Sequence, residues 1–201
     1  MVDALTTGLV VGLSIAVFVG FAAMSVIETA ANGGLRNGLT AALGIATGDG
    51  SWAAVVAAAG TALSQILGPY ESYLRWAAGA GLACLGVLAV RQVRHPDPEP
   101  GGRIPQSGVY RVYLAATLRD PVTVIFFGSL ALGSAPRYGP AQALVFAVGA
   151  FLGSLAWQSA LAVVGVRRGR VFTARGRRRL GVLDCVLLAV FTAYIALGWY
   201  R

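Results

Sequence analysis

Asp49, in Thr47-Gly48-Asp49-Gly50, stands within a long apolar stretch. It falls about eleven residues into that stretch, roughly 16 Å along a helix rising 1.5 Å per residue, which is near the middle of a bilayer. A carboxylate at that depth is costly unless it is paired, hydrated or protonated, so it is expected to serve a solute or a proton. The competing reading is a structural hydrogen bond between helices. Arg119-Asp120-Pro121 forms a second polar point inside apolar sequence. Pro121 has no N–H to donate and its ring clashes with the preceding turn, which frees carbonyls near Thr117 for other partners. Arg119 has three readings: it neutralises Asp120 or Asp49, it holds a carboxylate of a solute, or its long stem carries the charge back to the membrane surface. Glu28 closes the first apolar stretch. It either enters the interior or rests among headgroups. Trp157-Gln158 brings an amide and a flat aromatic face into another apolar run, with packing as the alternative for the indole. The candidate binding or coupling set is therefore Asp49, Asp120, Arg119, Glu28, Gln158 and Trp157, with Gly20 and Pro121 as helix breaks.

Other chemistries lack their residues. The sole histidine, His95, lies in a proline-rich segment, so no nucleophile–histidine–acid triad can form. The chain has no lysine and no phosphate-cradling glycine loop, so ATP is not expected as its direct energy source. Cys84 and Cys185 show no paired spacing, and neither a metal nor another cofactor is expected.

The elements that must carry these residues are membrane helices. The chain is 57% hydrophobic with a mean hydropathy of +0.71 and only 12% charged residues, which points to lipid rather than water as its solvent. A net charge of +8 would suggest nucleic acid in a soluble protein, but the arginines flank apolar segments without interleaved stacking aromatics. No nucleic-acid partner is expected. Six stretches are long enough to span a bilayer, near residues 5–27, 38–62, 73–92, 110–133, 140–165 and 181–199. The first lacks a basic leader and is too long for a signal-peptide core, so it reads as a retained helix. Arginine crowds the loops after the first, third and fifth spans, at Arg36, at Arg91, Arg94 and Arg103, and from Arg167 to Arg179. The other side carries Arg75, Arg137 and Arg201. That asymmetry predicts a multi-pass protein of the bacterial inner membrane with both termini outside the cytoplasm.

His95–Gly102, with three prolines and a glycine pair, reads as a flexible linker between two halves. The predicted architecture is one all-α membrane domain over 1–201, with repeat one about 1–92, a linker about 93–109 and repeat two about 110–201. A shift of 101 residues lays Gly38 on Gly139, Gly48 on Gly149 and Gly20 on Pro121. Three-helix repeats of this kind must be inverted in the membrane, an architecture that puts helix breaks and solute sites at the repeat interface. Chance alignment of Ala/Gly-rich sequence is the alternative. Gly44-xxx-Gly48 and Gly149-xxx-Gly153 offer small faces for close helix packing, within one chain or between two.

These residues also resemble a known family. Leu13 to Phe21 and Gly38 to Asp49 are similar to the first two helices of the LysE (lysine exporter) family of translocators. Arg75-Trp76-Ala77-Ala78-Gly79 and Arg119 to Phe127 continue the likeness, and Ser154-Leu155-Ala156-Trp157-Gln158 resembles an actinobacterial branch. The resemblance covers nearly the whole chain and is weakest in the sixth span. It implies six helices, a homodimer, and export of amino acids or similar small metabolites driven by an ion gradient. The family's Pro-Gly-Pro in span one here reads Val19-Gly20-Phe21, and its Asn-Pro in span four reads Asp120-Pro121. The first change leaves a weaker break, and the second adds a negative charge. With three acids facing one arginine, a cationic or zwitterionic solute is expected. The reading from another class is a non-transporting membrane protein whose buried charges only hold helices together. It requires Asp49 and Arg119 to pair directly in a dry core.

Overall fold

The computed structural model describes residues 1–18, 20–67, 73, 76, 80–81, 84, 87, 108–134 and 138–168. Among them every regular element is a helix: α1 (Val2–Phe18), α2 (Gly20–Leu67), α3 (Val109–Arg119), α4 (Pro121–Ser134) and α5 (Pro140–Arg168). The break expected near Gly20 cannot be read at Val19, which lies outside the described residues. So do the linker, the sixth span and most of the third, of which residues 73, 76, 80, 81, 84 and 87 are helical.

Tyr73, Trp76, Ala80, Cys84 and Val87 recur every three or four residues and are all exposed, an outward apolar stripe suited to lipid. Gly81 points the other way, against Ser129 of α4. Among the described residues, two apolar helical stretches, Ala22–Ala59 and Pro140–Arg167, are long and apolar enough to cross a membrane, and α3 with α4, bent by 53° at their joint, are so together if the pair is one span.

Gly34 interrupts α2 with φ 81° and ψ 173°, a left-handed conformation that a side chain resists. Eight residues along a straight helix would separate Ala30 from Gly38 by about 12 Å. Instead a Cβ on Gly38 would lie 2.6 Å from that of Ala30. The chain therefore folds back at Gly34, and α2 is a hairpin of two arms, residues 20–33 and 35–67. The sequence reading placed the loop at about 28–37, but alanine-rich sequence keeps the helix going on both sides of one glycine. Glu28 accordingly lies within the first arm rather than at its end.

The other starts follow local chemistry. Pro121 and Pro140 each occupy a first helical position, where the missing N–H costs nothing. At α5 the Gly139 N–H donates to Oε1 of Gln142 at 3.3 Å, half of a capping box.

Glycines set the packing. Gly8 and Gly12 of α1 meet the backbone of Phe146 and Ala150, while Gly149 and Gly153 of α5 meet that of Leu5, Leu9 and Leu13. Rising numbers pair with rising numbers, so α1 and α5 run parallel. The second arm of α2 runs antiparallel to α5, because Gly38 meets Ala162 and Gly50 meets Phe151. It runs parallel to α3, since Gly44 meets Tyr110 and Gly48 meets Thr117. These directions are the ones required when first and fifth spans cross one way and second and fourth the other.

Two apolar clusters form the core. One gathers Ile15, Ala53, Val56, Phe126, Phe127, Phe146 and Ala150. The other, toward the Gly34 turn, gathers Val26, Ile27, Ala41, Ile45, Val109, Tyr113 and Leu161.

Candidate functional site

On the second arm of α2 the residues between those clusters are 46–52; on α3–α4 they are 114–125, and on α5 they are 151–160. Asp49, Thr117, Thr123, Ser154 and Gln158, all buried, lie in these intervals. Most of the buried polar side chains among the described residues thus lie in a polar layer between the two apolar clusters, with Ser129 the exception beside Leu130.

Asp49 is only 2% exposed, and Ser154 Oγ donates to its Oδ2 at 2.6 Å. The glycines on either side of it explain how neighbours close around the carboxylate. A Cβ on Gly48 would fall 2.7 Å from Cγ2 of Thr117, and one on Gly50 would fall 3.0 Å from Cβ of Phe151. Gly48-Asp49-Gly50 therefore brings α3 and α5 against the backbone on both sides of the acid.

Gln158 lies one turn beyond Ser154 on the same face of α5. It is fully buried, and among the described residues neither Nε2 nor Oε1 has a hydrogen-bond partner. An unsatisfied buried amide costs about 1–3 kcal/mol for each group left unpaired. The indole N–H groups of Trp52 and Trp157 are likewise buried without partners. Trp52 packs on the cluster that holds Phe126, and Trp157 on the one that holds Tyr113.

Pro121 separates α3 from α4 as its chemistry requires. Asp120 leaves the helix at φ −66° and ψ 117°, and its N–H reaches the Thr117 carbonyl at 3.4 Å. Its carboxylate then accepts from the N–H groups of Val122 at 3.2 Å and Thr123 at 3.3 Å, and from the Thr123 hydroxyl at 3.0 Å. Asp120 is thus the N-cap of α4, where a negative charge also meets the positive end of the helix dipole. Because those two N–H groups turn to the cap, the carbonyls of Leu118 and Arg119 lose their usual helical donors.

The six expected side chains are therefore dispersed along the bundle. Asp49 and Gln158 share the polar layer, and Asp120 caps α4 at the joint of α3 and α4. Arg119 ends α3 on an exposed face. Among the described residues no ion pair joins it to Asp49. Glu28 lies toward the Gly34 end, where its charge is felt by Tyr113. Trp157 belongs to an apolar cluster.

Sequence reasoning did not single out Ser154 or Tyr113. The first sits at the spacing that puts it on the face of Gln158, a signal that was present. Tyr113 is 8% exposed, and its hydroxyl donates to the Ser25 carbonyl at 2.9 Å while meeting the Thr29 hydroxyl at 2.6 Å. Nothing in its local sequence announces that contact with residues more than eighty positions away.

No curated protein and no solved structure matches the chain. The family model of the LysE type translocators matches residues 13–198, which takes in both halves of the hairpin, the bent fourth span and the whole of α5. On a match of that extent, the chain belongs to the LysE type translocator family.

Proposed function

We propose that this protein exports amino acids or related small metabolites across the bacterial inner membrane by exposing its polar layer alternately to the two sides. The observation that carries the proposal is the buried Asp49–Ser154 pair beside the unsatisfied Gln158 amide, held between two apolar plugs. Asp49 meets the ammonium of the solute or a coupling proton. The Gln158 amide, which can donate and accept, orients its other polar groups. Asp120 contributes negative potential while it caps α4, and Arg119 stands ready to meet a carboxylate only when the solute passes the exposed end of α3. A buried carboxyl at Asp49 and a half-buried one at Asp120, with no buried cation among the described residues, favour a cationic or zwitterionic solute over an anion.

The same reading takes the chain as a single membrane domain of two inverted three-helix repeats. The 101-residue shift relates Gly50 to Phe151, and those two residues meet where the second arm of α2 crosses α5 antiparallel. An inverted repeat places its pseudo-two-fold axis at such a crossing. Export against a gradient requires coupling to an ion, and the buried carboxyl is the group to exchange it.

Metabolite profiling of medium and cytosol tests the function. An overexpressing strain is expected to enrich one or a few amine-bearing metabolites in the medium, and a deletion strain to retain them in the cytosol. Unchanged profiles in both strains across rich and minimal media overturn the export reading.

Orientation has its own test. Single cysteines placed between residues 95 and 103, in a background with Cys84 and Cys185 replaced by Ser, are expected to resist a membrane-impermeant thiol reagent in intact cells and to react once the cells are opened. Reaction in intact cells reverses the topology.

A further inference from the structure

The joint in the fourth span makes α3 a short lever. Only eleven residues long, it meets α4 at a non-helical Asp120, with Pro121 unable to donate across the joint. One backbone bond at the long distance of 3.4 Å and the carboxylate cap are the local restraints there. The α3 helix can therefore change its angle to α4 with little loss of helical hydrogen bonding.

Among the described residues, the two arms of α2 hold α3. Against the second arm of α2 the contact is steric, with Gly44 and Gly48 under Tyr110, Leu114 and Thr117. Against the first arm it is directional. The Tyr113 proton goes to the Ser25 carbonyl, so the Thr29 hydroxyl donates to the Tyr113 oxygen. The ring itself is buried in the cluster at the Gly34 end of the bundle. A swing of α3 about Asp120 away from the first arm would pull Tyr113 out of that plug and break both bonds.

We propose that the Tyr113 hydroxyl is a latch that holds the Gly34 end of the bundle shut, and that it must release Thr29 and Ser25 before the polar layer opens toward that end. The proposal rests on the alternating-exposure reading above and assigns one of its two gates. Tyr113 is a positioning residue, since it acts through the angle of α3 and not on the solute.

Two buried alanines on the same arm of α2 report on the two plugs. Ala41 lies in the plug that contains Tyr113, and Ala53 lies in the opposite one. Ala41→Cys and Ala53→Cys are made separately in purified protein lacking Cys84 and Cys185, reconstituted in nanodiscs, and their reaction with a soluble thiol reagent is timed. Each hydrogen bond of ordinary strength between membrane helices shifts an equilibrium by about threefold. Tyr113→Phe, which removes both bonds and little volume, is expected to speed labelling of Ala41→Cys by about eightfold. Thr29→Val, which removes one, is expected to speed it by about threefold. Ala53→Cys should label at its original rate in both backgrounds.

Unchanged labelling of Ala41→Cys overturns the latch, and so does an equal acceleration at both reporters, which would mean general loosening. A lowered melting temperature without selective labelling at Ala41→Cys also overturns it, by assigning the hydroxyl a structural role only. The assay needs no solute, so its failure leaves the export reading standing, and unchanged metabolite profiles leave the latch measurement intact.

Discussion

Asp49→Asn is expected to leave the protein folded and to abolish efflux of its solute. The Ser154 hydroxyl now donates to a carboxylate oxygen at 2.6 Å, and the amide oxygen of Asn offers the same acceptor in the same volume. No cation is orphaned by the change, because Arg119 is exposed and among the described residues forms no pair with Asp49. The stability cost should therefore stay within about 1 kcal/mol, that of weakening one hydrogen bond. Transport has more to lose. A charge-assisted hydrogen bond to an ammonium contributes about 1.5–3 kcal/mol, so efflux should fall by at least about tenfold. Efflux from loaded cells and melting in detergent are to be measured on the same preparation. Undiminished efflux of an identified solute by a stable Asp49→Asn protein would show that neither binding nor coupling depends on this carboxylate. A protein that melts far below the wild type would revive the structural-pair reading, in which removing one partner of a buried pair costs about 3–5 kcal/mol.

The second large effect is at the crossing of α1 and α5. A Cβ on Gly12 would fall 2.7 Å from Cα of Ala150 and closer still to its carbonyl, and one on Gly153 would fall 2.9 Å from the N of Leu13. The obstructing atoms are backbone, so no rotamer change relieves the clash and the helices must part along their length. Gly12→Leu should cost at least about 3 kcal/mol, beyond the usual penalty for overpacking. The expected readout is a sharp loss of folded protein after detergent extraction. Gly128→Ala is the control, since a Cβ there meets nothing within 4 Å. Alanine also favours the helix over glycine by about 1 kcal/mol, so this variant should melt at or above the wild-type temperature. Wild-type melting of Gly12→Leu would mean that α1 and α5 do not cross at this point.

Much of this was legible in the sequence. Hydropathy and length located the helices near 5–27, 38–62, 110–133 and 140–165, because a span in lipid needs about twenty apolar residues whatever its neighbours are. The Asp120-Pro121 break was legible for the same local reason, since proline disrupts a helix by its own covalent structure. The role of Asp120 was less so. An acid directly before a helix-starting proline is an N-cap pattern, yet its rarity at membrane depth drew attention to a binding role instead. The Gly34 turn was obscured because one glycine among Ala, Asn and Gly gives no periodic signal, and only the closeness of Ala30 and Gly38 reveals it. The pairing of Gly8 and Gly12 with Gly149 and Gly153 had a signal in both partners, but which small face meets which is decided by the tertiary arrangement. Tyr113 shows where sequence reading ends. Its partners are set by a joint and a hairpin, neither of which is encoded near it.

The Asp49–Ser154 contact also has a history in time. The two residues are 105 positions apart, and chain synthesis adds about 5–20 residues per second, so Asp49 is made roughly 5–20 s before its hydroxyl partner exists. During that interval the arm that carries it holds an acid, between Gly48 and Gly50, that lacks the Ser154 hydroxyl. Both the Ser154 hydroxyl and the Phe151 side chain that close around the acid come with α5, so its burial waits on the second half of the chain. Assembly of the first half is thereby tied to synthesis of the second, and a chain that stops short of Ser154 leaves Asp49 without that partner.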